Sequence, residues 1–211
     1  ERRFVPGTPF TFIVENPAPR HQPAQRCYPT RMAETTTRIT PDEFLKMAGQ
    51  ADEHLELVDG EVLRMTRPGA RHGLVVAQII KILVELIPFE RARVFNDIGI
   101  LLPSGNVRGP DVSVISAQRL QVHGLPSGWW PDAVDLATEV IGVEDRQVEL
   151  DRKIEEYFAA GIPQVWKVNP DTRKVSVYRS SKDVRIFDEN DELDAEDLFP
   201  SLRFPVRRLF E

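Results

Sequence analysis

Gly109-Pro110-Asp111-Val112-Ser113-Val114-Ile115 and Val134-Asp135-Leu136-Ala137-Thr138-Glu139-Val140-Ile141 decide the reading of this chain. Each is a short apolar run rich in β-branched residues, which predicts a buried strand. Each also carries an acid inside or beside the run, Asp111 in the first and Glu139 in the second. An ionised carboxylate in such a setting is costly unless something compensates it. Two of them, followed by a helix of mixed charge, point to a shared compensator. Carboxylate oxygens suit a hard divalent cation, Mg²⁺ or Mn²⁺. If the strands are neighbours in one sheet, Asp111 and Glu139 can meet at one point and hold such an ion. The metal would then activate water and offset charge on a phosphoryl oxygen, which makes a metal-dependent hydrolase the leading expectation.

The segments around these strands support an α/β domain. Thr40-Pro41-Asp42-Glu43 is a capping box with proline at the first helical position, and it predicts a short helix ending near Gly49. Leu55-Glu56-Leu57-Val58, Asp59-Gly60 and Glu61-Val62-Leu63-Arg64-Met65 read as a β-hairpin. Leu74, Val75, Ile79, Ile82, Leu83 and Leu86 recur at helical spacing and predict a long helix closed by Pro88. One strand is expected from Arg93 to Leu102, and a loop over 116–132, where Pro126, Gly128 and Pro131 break periodicity. A helix is predicted from Gln147 to Ala160, stopped by Gly161 and Pro163. Strands follow at 164–168, 174–178 and 185–187. The alternation implies a mixed sheet flanked by helices.

Residues 1–38 differ in composition. Pro6, Pro9, Pro17, Pro19, Pro23 and Pro29 interrupt any period, and Met32-Ala33-Glu34 resembles a translation start. We read 1–38 as an extension or leader, largely irregular, in which only Phe10–Val14 could form a strand. The folded domain is expected at 39–211. The lone Cys27 excludes an intramolecular disulfide and a cysteine-rich zinc site. No stretch is long and apolar enough to span a bilayer, and nothing resembles a signal peptide, so a cytoplasmic protein with no membrane partner is expected.

The 211 residues carry a formal net charge of −6. That argues against strong non-specific affinity for nucleic acid, although charge can be unevenly distributed. The segment Asp183–Asp197 is strongly acidic, whereas Arg64, Arg67, Arg71 and His72 cluster together, and Arg91, Arg93, Arg108, Arg146 and Arg152 add to the basic set. Such charges usually mark a solvated face, with phosphate contact as the alternative.

Lys153 lies in the helix after the Glu139 strand. There it either orients water and offsets phosphate charge, or is a surface lysine paired with Glu149 or Glu156.

In order along the chain, several motifs resemble the PD-(D/E)xK nuclease superfamily and, more closely, the prokaryotic Uma-two family of restriction-endonuclease-type proteins. They are Phe44-Leu45, Leu55-Glu56-Leu57-Val58-Asp59-Gly60-Glu61, His72, Pro110-Asp111-Val112-Ser113-Val114, Glu139-Val140-Ile141, Lys153 to Tyr157, and Gly161 to Pro170. The resemblance spans roughly 40–205. It implies a restriction-endonuclease-like mixed sheet with an added N-terminal hairpin, and an Mg²⁺- or Mn²⁺-dependent endonuclease acting on DNA. Asp111 and Glu139 would be the metal ligands. The superfamily places its lysine two positions after the glutamate, where this chain has Ile141, so Lys153 is the implied substitute. Glu56 and His72 match accessory polar positions. A homodimer is compatible with the pattern. Two departures flank the site: Gly142-Val143-Glu144 where the family favours Ser-Pro-Ser, and Gln164-Val165-Trp166 where it favours Glu-Tyr-Trp. The competing classes are a catalytically silent relative that binds nucleic acid or a protein, and a hydrolase of small phosphoesters.

Overall fold

The structure is a computed structural model that describes residues 38–49, 54–142 and 147–211. The expected leader, with its Phe10–Val14 segment, lies outside the described residues except for Arg38.

Helix α1 (Pro41–Ala48) begins as expected. The Glu43 amide donates to Thr40 Oγ1, and the Thr40 amide donates to Glu43 Oε2, so the capping box is closed in both directions. Strands β1 (Leu55–Val58) and β2 (Glu61–Arg64) form the hairpin. Its turn residues take φ 52° at Asp59 and 79° at Gly60, the left-handed pair that an Asp-Gly turn of this kind requires. Helix α2 spans Ala70–Leu86.

Two expectations fail beyond this point. The single strand expected from Arg93 to Leu102 is two strands in different sheets, β3 (Ala92–Asn96) and β4 (Ile100–Leu101). Asp97 at φ 50° breaks the run. The loop expected at 116–132 contains helix α3 (Ala117–His123), which ends at Gly124 with φ 66°. The glycines and prolines in the second half of that segment obscured the helix-compatible first half.

The remaining strands are β5 (Val107–Arg108), β6 (Val112–Ser116), β7 (Leu136–Val140), β8 (Val165–Asn169), β9 (Lys174–Tyr178), β10 (Val184–Asp188), β11 (Glu192–Asp194) and β12 (Arg203–Pro205). Helix α4 (Gln147–Ala159) joins β7 to β8, and a 3₁₀ turn (Val206–Phe210) closes the chain.

The main sheet runs β10-β9-β8-β7-β6-β3 and is mixed, as predicted. Only β7 and β8 are parallel, as befits strands joined through a crossover helix. A smaller sheet, β2-β1-β5-β4, builds on the N-terminal hairpin, and β11 pairs with β12.

Alternation along β6 and β7 sorts their side chains between two cores. Val112, Val114, Leu136 and Val140 pack with Val75, Ile79, Ile82 and Leu83 of α2. Ile115 and Ala137 pack on the opposite face with Leu150, Ile154 and Tyr157 of α4. Period two therefore directs Glu139 to the α4 face. Asp111 precedes β6 by one residue and shares the parity of Ser113 and Ile115, so it belongs to that face too.

Candidate active site

In the antiparallel β6–β7 pair, Val112 stands opposite Thr138. One step further along this register sets Asp111 against Glu139. Asp111 sits in a bend at the strand mouth rather than inside the strand. Its Oδ2 accepts the backbone N–H of Val140 at 2.7 Å, and its Oδ1 lies 3.3 Å from His72 Nε2 near the start of α2. The Asp111 side chain is 26% exposed and that of His72 13%. His72 thus joins the site from the opposite helix.

Lys153 is a buried residue, 7% exposed, and not the surface lysine of the bland alternative. Its Nζ lies 2.9 Å from Glu139 Oε1, 3.0 Å from Glu139 Oε2, 2.8 Å from Glu56 Oε1 and 3.1 Å from the Gly109 carbonyl oxygen. Helical spacing explains the placement. Lys153 and Tyr157 lie one turn apart on the α4 face that also carries Leu150 and Ile154, so the helix buries the ammonium over the sheet. Tyr157 is fully buried and donates its hydroxyl to Glu139 Oε1 at 2.6 Å.

Glu56, one of the accessory positions, is buried and fully engaged. Oε1 accepts from Lys153 and from the Gly109 amide, while Oε2 accepts from Arg108 at 2.9 Å. Arg108 was grouped with the solvated or phosphate-facing bases; the structure buries it between Glu56 and Glu156. Glu156 receives two of its guanidinium N–H groups and one from Asn106. Asn106 Oδ1 in turn accepts the Asp59 amide in the hairpin turn. Arg108, Glu156, Asn106 and Asp97 were missed by sequence reasoning. For Arg108 a signal existed, since it directly precedes Gly109-Pro110-Asp111. For Glu156 the signal was its place three residues after Lys153.

The electrostatics follow from this crowding. Burial pushes the Glu139 carboxyl up to about 7; Lys153 opposes that rise, and Asp111 and Glu56 add to it. Burial also pushes Glu56 up, but Lys153 and Arg108 outweigh it and hold that carboxyl below its ordinary range. Lys153 moves upward despite its burial, because Glu139 and Glu56 favour the ammonium. Asp97, whose amide donates to the Asp111 carbonyl and whose carboxylate lies 2.8 Å from His54, is raised by burial and further by Asp111.

The two tryptophans of the 116–132 segment pack internally. Trp129 stacks on Phe44 at 5.2 Å and donates to the Pro41 carbonyl, and Trp130 is buried. Arg64, Arg67 and Arg71 are exposed, with Arg71 paired to Asp171. Arg146 lies outside the described residues.

A mixed sheet with Asp111 and Glu139 at one strand mouth, Lys153 delivered to it from α4, and helices on both faces is a nuclease-type α/β fold. The chain belongs to the Uma2 family, described as "Putative restriction endonuclease", whose profile matches residues 41–207. A crystal structure of a "putative nuclease belonging to DUF820" from Anabaena variabilis ATCC 29413 superposes with a TM-score of 0.73 and 22% identity. The match covers 82% of this chain and 97% of that one and establishes the shared fold. A cryo-electron-microscopy structure of a DrdV–DNA complex aligns at TM-score 0.37 and 15% identity, over 64% of this chain and 11% of that one. That score is too low to establish a common fold. Curated proteins give no match. Among the described residues, no helix is long and apolar enough to cross a membrane.

Proposed function

We propose that this protein is an endonuclease that hydrolyses DNA phosphodiester bonds with Mg²⁺ or Mn²⁺. The observation that carries the reading is the delivery of the Lys153 ammonium, from α4, onto the same sheet face and strand mouth as Asp111 and Glu139. Those are the three roles a phosphodiester hydrolase needs at one point: two hard oxygen ligands and a positive charge.

The donor set fits a divalent cation. Among the described residues no three His, Cys, Asp or Glu side chains converge as a self-sufficient metal cage. Mg²⁺ does not require one, since it commonly takes one or two carboxylates and completes its shell with water and substrate phosphate. Asp111 and Glu139 would hold it. When bound, such a cation acidifies a water molecule and offsets charge that builds on the phosphate. Lys153 keeps a positive charge beside the scissile group, where it stabilises charge that grows in the transition state. Tyr157 and the Val140 amide fix the orientations of the Glu139 and Asp111 carboxylates. Arg64, Arg67 and Arg71, exposed ahead of His72, suit contacts to the DNA backbone.

A plasmid-nicking assay with Mg²⁺ and with Mn²⁺ tests the proposal. The wild type should nick, and Glu139→Gln should lower the rate by about 100-fold or more. An intact plasmid under every divalent cation would favour the second reading, a silent relative that binds nucleic acid or protein. One feature supports that alternative: both Glu139 oxygens are already engaged by Lys153 and Tyr157.

A further inference from the structure

The Lys153 ammonium stands among four oxygens, two of them from Glu139, one from Glu56 and one the Gly109 carbonyl. It therefore occupies, with respect to Glu139, the position of a cation. Any metal that takes a Glu139 oxygen must loosen this grip. A buried ammonium that loses its partner carries a heavy desolvation cost unless a second anion keeps it paired. Glu56 is that second anion, and its own geometry is rigid: Oε2 is held by Arg108 and Oε1 by the Gly109 amide, so it cannot follow Glu139 toward a metal. Arg108 is itself anchored by the Glu156 carboxylate.

Resting on the metal-dependent reading above, we propose that Glu56 is a positioning residue rather than a metal ligand: it tethers Lys153 so that Glu139 can be shared with a divalent cation. The Arg108–Glu156 pair is the frame that holds the tether. In this arrangement Glu56 has two effects. It lowers the cost of drawing Glu139 away from Lys153, and it keeps the ammonium beside the Gly109 carbonyl, next to Asp111, after the metal has entered.

The test is a double-mutant cycle read by Mn²⁺ calorimetry without DNA, with urea unfolding of each variant as the folding control. In Glu56→Gln, Glu139 is the only carboxylate left to the lysine, beside the neutral Gly109 carbonyl, so the Mn²⁺ Kd should rise by roughly tenfold or more. In a Lys153→Met background there is no ammonium to displace, and the same Glu56→Gln change should alter Kd by no more than about threefold. An equal loss in both backgrounds would mean that Glu56 attracts the metal directly and would overturn the tether. An unchanged Kd in Glu56→Gln alone would do the same. If the wild type binds Mn²⁺ but cleaves no DNA, the nuclease reading fails and the tether survives; if the wild type binds no Mn²⁺, both fail. A second measurement does not depend on the methionine variant. In ¹⁵N-lysine spectra, the slowly exchanging Lys153 ammonium should persist after Mg²⁺ addition in the wild type and vanish in Glu56→Gln. Persistence in both proteins would also overturn the proposal.

Discussion

Asp111 Oδ2 accepts the backbone N–H of Val140 at 2.7 Å, which ties the first acid to the residue after the second across the β6–β7 pair. The bond holds one Asp111 oxygen against the sheet, while Oδ1 lies toward His72. Asp111→Asn can keep the same acceptor with its amide oxygen, so it should remove the charge without removing the anchor. The melting temperature should move by less than about 3 °C. Plasmid nicking should fall by about 100-fold or more, with Mn²⁺ binding lost in calorimetry. Unchanged Mn²⁺ binding in this variant would take Asp111 out of the ligand set.

Lys153→Met should behave differently, because the lysine is structural as well as functional. Removing it leaves Glu139 and Glu56 close together in a buried site, and breaking a buried pair in this way costs about 3–5 kcal/mol. Urea unfolding should show that loss, while nicking should disappear and Mn²⁺ binding should be retained. Lys153→Arg should recover part of the stability. A methionine variant as stable as the wild type would contradict the buried four-oxygen contact.

Much of this was legible from residues alone, and the failures have identifiable causes. Asp111 and Glu139 could be paired because each acid sits beside a run of strand-forming residues, whereas Lys153 joined them only through the family resemblance, since a lysine on a helix with acids at helical spacing reads equally as a surface group. The hairpin around Asp59-Gly60 and the Thr40 cap were legible because their signals are local. The Arg108–Glu56–Glu156 frame was not. Its members come from β5, β1 and α4 and meet only through the tertiary fold, and a lone arginine in sequence looks like a solvated one. Helix α3 was hidden by its neighbours' glycines and prolines. The change of sheet between β3 and β4 depends on a left-handed Asp97, a conformation that residue type alone does not announce.

Gly99 marks that change of sheet. A Cβ there would lie 2.3 Å from Cε3 of Trp129, whose ring is sandwiched against Phe44 of α1. The Gly99 carbonyl also accepts the Trp130 amide, so the backbone cannot simply retreat. Gly99→Ala should cost about 1–3 kcal/mol, the usual range for overpacking a filled site. The near-ultraviolet circular dichroism of the tryptophans should change with it. A neutral effect on urea unfolding would show that the Trp129 ring is free to move aside.

The pH dependence of stability tests the buried frame. Burial pushes the Glu156 carboxyl up, but hydrogen bonds from Arg108 and Asn106 outweigh it and hold the group below its ordinary range; Glu56 is held low by Lys153 and Arg108 against the same penalty. Both carboxyls are therefore more acidic folded than unfolded. Their stabilisation is present above the ordinary carboxyl range and is lost as pH falls through the folded values, because the unfolded chain then binds more protons. Glu139 works in the opposite sense. Raised to about 7, it contributes stability that is lost as pH climbs from the ordinary carboxyl range through that value. From these groups, the metal-free protein should be most stable at the upper end of the ordinary carboxyl range, about pH 4.5 to 5, and should lose stability as pH climbs from there toward 7. Glu156→Gln should be less stable than the wild type by about 1–3 kcal/mol at neutral pH, since a buried arginine loses a charged acceptor. That gap should close only once pH has fallen below the ordinary carboxyl range and through the lowered folded value of Glu156, where the wild-type carboxylate is protonated as well. Urea unfolding at a series of pH values measures both curves, and a gap of constant size down to strong acid would rule out the Glu156–Arg108 ion pair as its source.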